Sequence, residues 1–178
     1  MEFEKNLQIG NIKQLEKTLK RVYDDEIVKD DNFLDILLQE KITWHCGGMS
    51  DPFQPIEKKL NVTKDMIDLA NKYENTILFS TKSYTVYNCN IRPDLHSFQL
   101  SITNIDNRKD LEPNVPDFNK RYNFYRELKA EGFKVGIRIQ PFIPNVTTTE
   151  IIDAFCDADH FTIEGLKQEW YLLSFLNL

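Results

Sequence analysis

The segment Cys46-Gly47-Gly48-Met49-Ser50-Asp51-Pro52-Phe53-Gln54-Pro55-Ile56-Glu57 follows a short run from Ile42 to His45. That run predicts a buried strand, and the glycine pair after it predicts a sharp turn that leaves room for a close approach. Pro52 and Pro55 stiffen the loop, and Asp51 and Glu57 bring two carboxylates to it. A strand that runs into glycines and an acidic, proline-braced loop is one way α/β proteins build a wall of a ligand site.

Outward from this segment, helical and extended patterns alternate. Ile12, Leu15, Leu19 and Val22 have helical spacing within Asn11 to Tyr23. Asp30 and Asp31 are placed to cap a second helix carrying Phe33, Leu34, Ile36, Leu37 and Leu38. A helix from Thr63 has Asp65 and Asp68 near its start, where carboxylates suit the helix dipole. Thr76 to Thr81 predicts a second strand, and Leu95 to Thr103 holds a third in which Phe98, Leu100 and Ile102 alternate with polar residues. Phe118, Tyr122, Tyr125 and Leu128 mark a helix that stops at Gly132, suited to a left-handed C-cap. Phe133 to Ile139 is a fourth strand. Thr147-Thr148-Thr149-Glu150 has the form of a capping box ahead of a helix, and His160 to Ile163 is a fifth strand. Leu166 to Leu178 predicts an apolar helical tail. The alternation predicts an α/β fold with about five parallel strands and right-handed crossovers, in one domain over residues 1–178.

Composition narrows the function classes. The chain has 178 residues, 41% of them hydrophobic, enough for a globular core. A net charge of −6 argues against tight binding to a nucleic-acid backbone, which needs clustered Lys and Arg. No signal peptide is visible and no run is long enough to span a membrane, so the sequence predicts a cytoplasmic protein. Cys46, Cys89 and Cys156 are widely spaced and odd in number, which is not a disulfide framework. His45, His96 and His160 follow no metal-ligand spacing, and His45 reads as a hydrogen-bonded core or edge residue.

In parallel sheets, ligands sit at the carboxyl ends of the strands. Those ends offer Gly47, Gly48, Ser50 and Asp51, then Ser80, Thr81, Lys82 and Ser83, then Ser101, Thr103, Asn104 and Asp106, then Arg138 and Gln140, then Glu164. Lys82 and Arg138 are cations beside strands that otherwise look buried. Such charges need a partner. Each either makes a structural ion pair with Asp51, Glu57 or Glu164, or grips a ligand carboxylate or phosphate. Asp51 and Glu57 form a possible acid–base pair, with loop capping the expected role for at least one.

Four segments in register resemble the radical S-adenosylmethionine superfamily, in the branch that includes spore photoproduct lyase. They are Gly48 to Glu57, Ser80-Thr81-Lys82-Ser83, Ser101-Ile102-Thr103 followed by Leu111-Glu112-Pro113 and Pro116, and Gly136-Ile137-Arg138-Ile139-Gln140-Pro141 with Ile143-Pro144. The resemblance covers about residues 42–161. It implies a partial (β/α)6 barrel in which a [4Fe-4S] cluster on three cysteines binds S-adenosylmethionine and cleaves it to a 5′-deoxyadenosyl radical. On this resemblance the Gly47-Gly48 segment lies by the methionine amino group, and Ser50 and Asp51 are further candidates for binding the cofactor. Lys82 and Arg138 are candidates for its carboxylate, and Ser101 for the ribose.

One departure is large. The family's C-x3-C-x2-C motif, which presents all three thiolates from one loop after the first strand, is absent. The expectation is therefore a partial barrel missing its first strand, beginning after the cluster loop and holding no cluster alone. The open edge at the first strand is expected to be covered by Asn11 to Leu38, by an N-terminal companion segment or by a second copy. The tail around Trp170, Tyr171, Leu172, Leu173 and Phe175 is expected to cover exposed core or join a partner. Two other readings stand beside this one. One is a non-catalytic ligand-binding module on a degenerate barrel. The other is an unrelated (β/α) lyase or aldolase with Lys82 as Schiff-base amine.

Overall fold

Period-two patterning governs the sheet. In the computed structural model, which describes residues 10–29, 31–107 and 109–165, five strands form one all-parallel sheet in sequence order. They are β1 (Trp44–Cys46), β2 (Ile77–Thr81), β3 (Ser97–Ser101), β4 (Lys134–Phe142) and β5 (Phe161–Gly165). The five parallel strands are those the alternation predicts, and the sheet curls into a half-barrel, consistent with the partial (β/α) barrel that the resemblance implies.

One face of the sheet carries Ile77, Phe79, Phe98, Leu100, Val135, Ile137 and Ile139, all in the principal buried core. Phe53, from the proline-braced loop, joins that core and stacks near Phe79 and Phe98. A single turn, α3 (Glu57–Leu60), precedes α4 (Val62–Lys72), and α4 with α5 (Phe118–Ala130) covers this face through Ile67, Ala70, Phe124, Tyr125 and Leu128. A fully buried Ile, Leu or Phe among them contributes about 1.5–3 kcal/mol relative to exposure. The opposite, concave face is polar: His45, Ser80, Gln99, Arg138 and Thr162 alternate with the core residues and bond to one another or to neighbours across it.

The N-terminal helices α1 (Ile12–Leu19) and α2 (Phe33–Gln39) form a second small core with Tyr73 at the end of α4. Leu19, Val22 and Leu38 fill it, and Trp44 packs against both cores. A π turn over Lys20–Asp24 extends α1, close to the predicted end at Tyr23. Arg21 binds Asp35 through two bonds of 2.5 and 2.6 Å, locking α2 against it. Asn11 to Leu38 thus folds back on α4 and on the start of β1. Among the described residues, no strand pairs with the outer edge of β1 or of β5.

Several local readings need correction. Strand β1 is an edge strand rather than a buried one: Trp44 and Cys46 are half-buried and His45 is exposed. Asn32, not Asp31, caps α2 by accepting from Leu34 N at 3.0 Å, and Asp30 lies outside the described residues. The helix expected from Thr63 starts at Val62, and Thr63 N is satisfied by Glu57 Oε2 at 2.8 Å. The capping box does not form at α6 (Glu150–Ala154), because Thr149 makes no side-chain cap. Instead Thr147 Oγ1 donates to Thr103 O and accepts from Ile143 N, tying the β4 exit loop to the end of β3. Gly132 does end α5 with a left-handed φ of 88°. The predicted tail helix lies outside the described residues. No described helix is long and apolar enough to cross a membrane.

His96 straps three elements together. Its Nδ1 accepts from Ile77 N at 3.1 Å, and its Nε2 meets Asn71 Oδ1 at 2.9 Å. Protonating Nδ1 would set two donors against each other. Burial, reinforced by the charge of Arg92, pushes the His96 pKa down to about 4, and Asp94 opposes this. The unfolded chain then binds a proton that the folded chain refuses. Stability from this group is complete above about pH 6.5 and declines toward pH 4, by on the order of 3 kcal/mol. Urea midpoints at neutral and acid pH should show this loss, and His96→Gln should flatten the dependence between those limits while lowering stability at pH 7.

Candidate functional site

The carboxyl ends of β1 to β4 open onto one cleft of about 400 Å³. Gly47, Gly48, Ser50, Asp51, Lys82, Ser101 and Arg138 all line it, joined by His45, Met49, Ser80, Thr81 and Gln140. Residues chosen from four separated segments are thus brought together by the parallel topology, which places every strand's C-terminus on one rim. The volume is in the range of small-molecule sites, roughly 300–1,000 Å³.

The β1 wall is held in shape by Asp51. Its carboxylate accepts from Phe53 N at 2.9 Å, from Thr81 Oγ1 at 2.8 Å and from Lys82 N at 2.7 Å. It therefore splices the glycine loop to the end of β2. Glu57 caps α4 through Thr63 N, and Thr63 Oγ1 donates to Pro52 O at 2.8 Å. Both loop carboxylates are structural caps, and neither forms an acid–base pair with the other. Gly47 is required by geometry: its φ is +118°, and a Cβ there would fall 2.0 Å from Ser80 O. At Gly48 a Cβ would meet only the His45 ring, at 3.6 Å.

Both cations have carboxylate partners. Arg138 binds Glu164 at 2.6 Å, and Gln140 donates to the other oxygen of Glu164 at 2.8 Å. The Nε of Arg138 is buried and makes no hydrogen bond. Lys82 pairs with Glu112, a partner outside the three carboxylates that the sequence suggested. Glu112 in turn lies 3.7 Å from Arg121, which is 2% exposed on α5 and donates to Ser101 O at 3.0 Å. Burial pulls the Arg121 pKa below its ordinary value, and Glu112 works against that. The order Lys82–Glu112–Arg121 thus carries charge from the cleft into the α5 layer. Three cations (Lys82, Arg121 and Arg138) and three carboxylates (Asp51, Glu112 and Glu164) leave the cleft and its ion pairs balanced, a setting for a zwitterion rather than a bare polyanion.

Glu112 and His45 lie at the cleft without having been chosen as site residues, and His45 is the hydrogen-bonded edge residue that the sequence suggested. Glu112 sits in a loop with no periodic signal. His45 had one: it is out of phase with Trp44 and Cys46, so the strand period assigns it to the polar face.

The thiols do not suit iron. Cys46 and Cys89 are half-buried against the principal core, and Cys156 is exposed after α6. Burial, then the charges of Asp51 and Glu57, push Cys46 up to about 11. Cys89 rises to about 11 from burial, then Glu57 and Asp68. Cluster ligation requires thiolates gathered together. Among the described residues, no three His, Cys, Asp or Glu side chains form a group able to hold a metal ion.

No family model matches the chain, and no solved structure matches it. An uncharacterized protein of Methanocaldococcus jannaschii is 25% identical over 159 residues. That match takes in 85% of this chain and 58% of the relative, so the chain spans little more than half of that protein's length.

The glycine geometry carries a direct test. Gly47→Ala should lower unfolding free energy by about 3 kcal/mol or more, because backbone and carbonyl must both move. Gly48→Ala should change it by less than about 1 kcal/mol in the same urea titration.

Proposed function

We propose that the cleft binds S-adenosylmethionine and that this chain forms part of a radical S-adenosylmethionine-type core. One observation supports the reading: the seven strand-end residues named as cofactor-binding candidates line a single cleft of suitable size, with two cations and the glycine loop on it. In this reading Lys82 and Arg138 grip the methionyl carboxylate, and the Gly47-Gly48 segment with Ser50 and Asp51 receives the amino group. Ser101 faces the ribose. The carboxylate then competes with Glu112 and Glu164 for the two cations, and the exchange of one carboxylate for another keeps the buried charge balanced.

In a core of this type a [4Fe-4S] cluster, when bound, would supply the electron for cleaving the sulfonium. The described thiols do not fit one, so the proposal places the cluster on an N-terminal companion segment or a separate polypeptide. The free edge of β1 is where such a segment, or a second copy, would add. Phe33, Leu34, Ile36 and Ile42, on the stretch leading into β1, are exposed apolar residues. Three free cysteines suit a reducing, cytoplasmic setting. A second reading is a binding module without redox chemistry, which needs only the cleft and its paired charges. The Schiff-base reading draws no support from the cleft, where Glu112 engages the Lys82 ammonium.

Calorimetry with S-adenosylmethionine tests the proposal. Binding is expected to weaken by about tenfold in Lys82→Ala and in Arg138→Ala, as for loss of one charge-assisted contact. Absence of binding to the unaltered chain would remove the reading. Release of 5′-deoxyadenosine only after a cluster-bearing companion is added marks the enzyme, and binding with no such release marks the module.

A further inference from the structure

Below the cleft, the concave face carries a chain of neutral hydrogen-bonding groups that crosses the sheet. His45 Nε2 lies 2.8 Å from Ser80 Oγ. Ser80 Oγ donates to Gln99 Oε1 at 3.2 Å. Gln99 Nε2 donates to Thr162 Oγ1 at 3.1 Å and faces His160 Nε2 at 3.4 Å. The chain thus joins β1, β2, β3 and β5, and it passes over Gly136 of β4. Gly136 lies beside Gln99 in the ladder, and a Cβ there would fall 2.2 Å from the His160 ring, so the glycine makes the space this imidazole fills. Ser80 and Gln99 are 4% and 8% exposed, so their polar atoms depend on these partners rather than on water.

The polarity of each bond follows from the next. The Gln99 amide turns its N–H groups toward Thr162 and His160, which leaves its oxygen toward Ser80. A serine hydroxyl has one proton, and Ser80 commits it to that oxygen. In that arrangement the His45 nitrogen at 2.8 Å meets an oxygen lone pair, and Nε2 carries the ring proton. An imidazole protonated at Nε2 keeps a lone pair at Nδ1. That nitrogen has no partner among the described residues, and His45 is exposed on the wall of the cleft.

We propose that His45 is the ligand-contacting hydrogen-bond acceptor of the cleft, presenting Nδ1 to an amine N–H or a hydroxyl. Ser80 and Gln99 are positioning residues that hold this tautomer. The ligand contact rests on the cleft being an S-adenosylmethionine site, whereas the tautomer does not. The acceptor stands on β1, whereas the cations Lys82 and Arg138 follow β2 and lie on β4. A ligand with an anionic end and a donor end is thereby given one orientation.

Imidazole ¹⁵N spectra, recorded at about pH 8.5 where histidine is ordinarily neutral, read the tautomer directly. The unaltered chain should show His45 protonated at Nε2. Gln99→Leu removes the acceptor for Ser80, whose proton then turns to His45 Nε2, and the ring proton should move to Nδ1. Gln99→Glu keeps an acceptor toward Ser80 and should retain the original pattern. If Gln99→Leu fails to fold, Gln99→Met poses the same question with an unbranched side chain. A folded Gln99→Leu or Gln99→Met protein still protonated at Nε2 would overturn the relay. S-adenosylmethionine affinity should fall about tenfold in the variant with the inverted tautomer and return in Gln99→Glu. Unchanged affinity despite an inverted tautomer would overturn the ligand contact. If S-adenosylmethionine binds none of these proteins, the reading of the cleft's ligand fails, and the contact with it, while the spectra still decide the relay.

Discussion

The separation of the sheet into an apolar face and a polar face is the constraint on which the rest of this molecule depends. All-parallel sheets usually have both faces packed, and their strands then read as continuous apolar runs. Here β2, β3 and β4 alternate instead. Phe79, Phe98 and Ile137 are fully buried against the helices, while Ser80, Gln99 and Arg138 look into the concave side. Burial of one face holds the strands in register, because a slip by one residue would exchange the two sets. The register that keeps the core buried also sets Ser80 beside Gln99, and Ser101 beside Arg138. Stability and site geometry therefore share a single cause.

A polar concave face has its own cost, since hydrogen-bonding groups removed from water must find partners within the fold. The molecule answers in two ways. Near the rim, charges are paired: Arg138 with Glu164, and Lys82 with Glu112, which also faces Arg121. Deeper, neutral groups are chained from His45 through Ser80 and Gln99 to Thr162. The charged rim suits a zwitterionic ligand, and the neutral chain gives the cleft a direction. The three cysteines lie apart from both systems. Two are packed at the core and held in the thiol form by burial and nearby carboxylates.

Much of the site was legible before the fold was known, because a parallel sheet converts strand-end positions into neighbours. Gly47, Gly48, Ser50 and Asp51 follow β1, Lys82 follows β2, Ser101 ends β3, and Arg138 lies beside it midway along β4. Once the topology is parallel, they must share a rim. The roles of Asp51 and Glu57 were less legible, since a loop carboxylate can cap a backbone or face a ligand equally well. Thr147 shows the same limit: its sequence suits a capping box, yet its hydroxyl is taken by Thr103 O across the fold. Propensity describes the local competitors for a hydrogen bond but not the distant one that wins.

The order of strands, the face each side chain takes and the rim where polar residues gather were determined by the sequence, because periodicity and helix–strand alternation are local properties that translate into topology by steric rules. The pairing of Lys82 with Glu112, the space that Gly136 leaves for the His160 ring and the chain that fixes the His45 tautomer were decided only by tertiary structure. Each joins residues far apart in the chain, across a curvature of the sheet that no local pattern encodes. A hydrogen bond is chosen by distances of a few tenths of an ångström, and those exist only once the half-barrel has closed to its final arc.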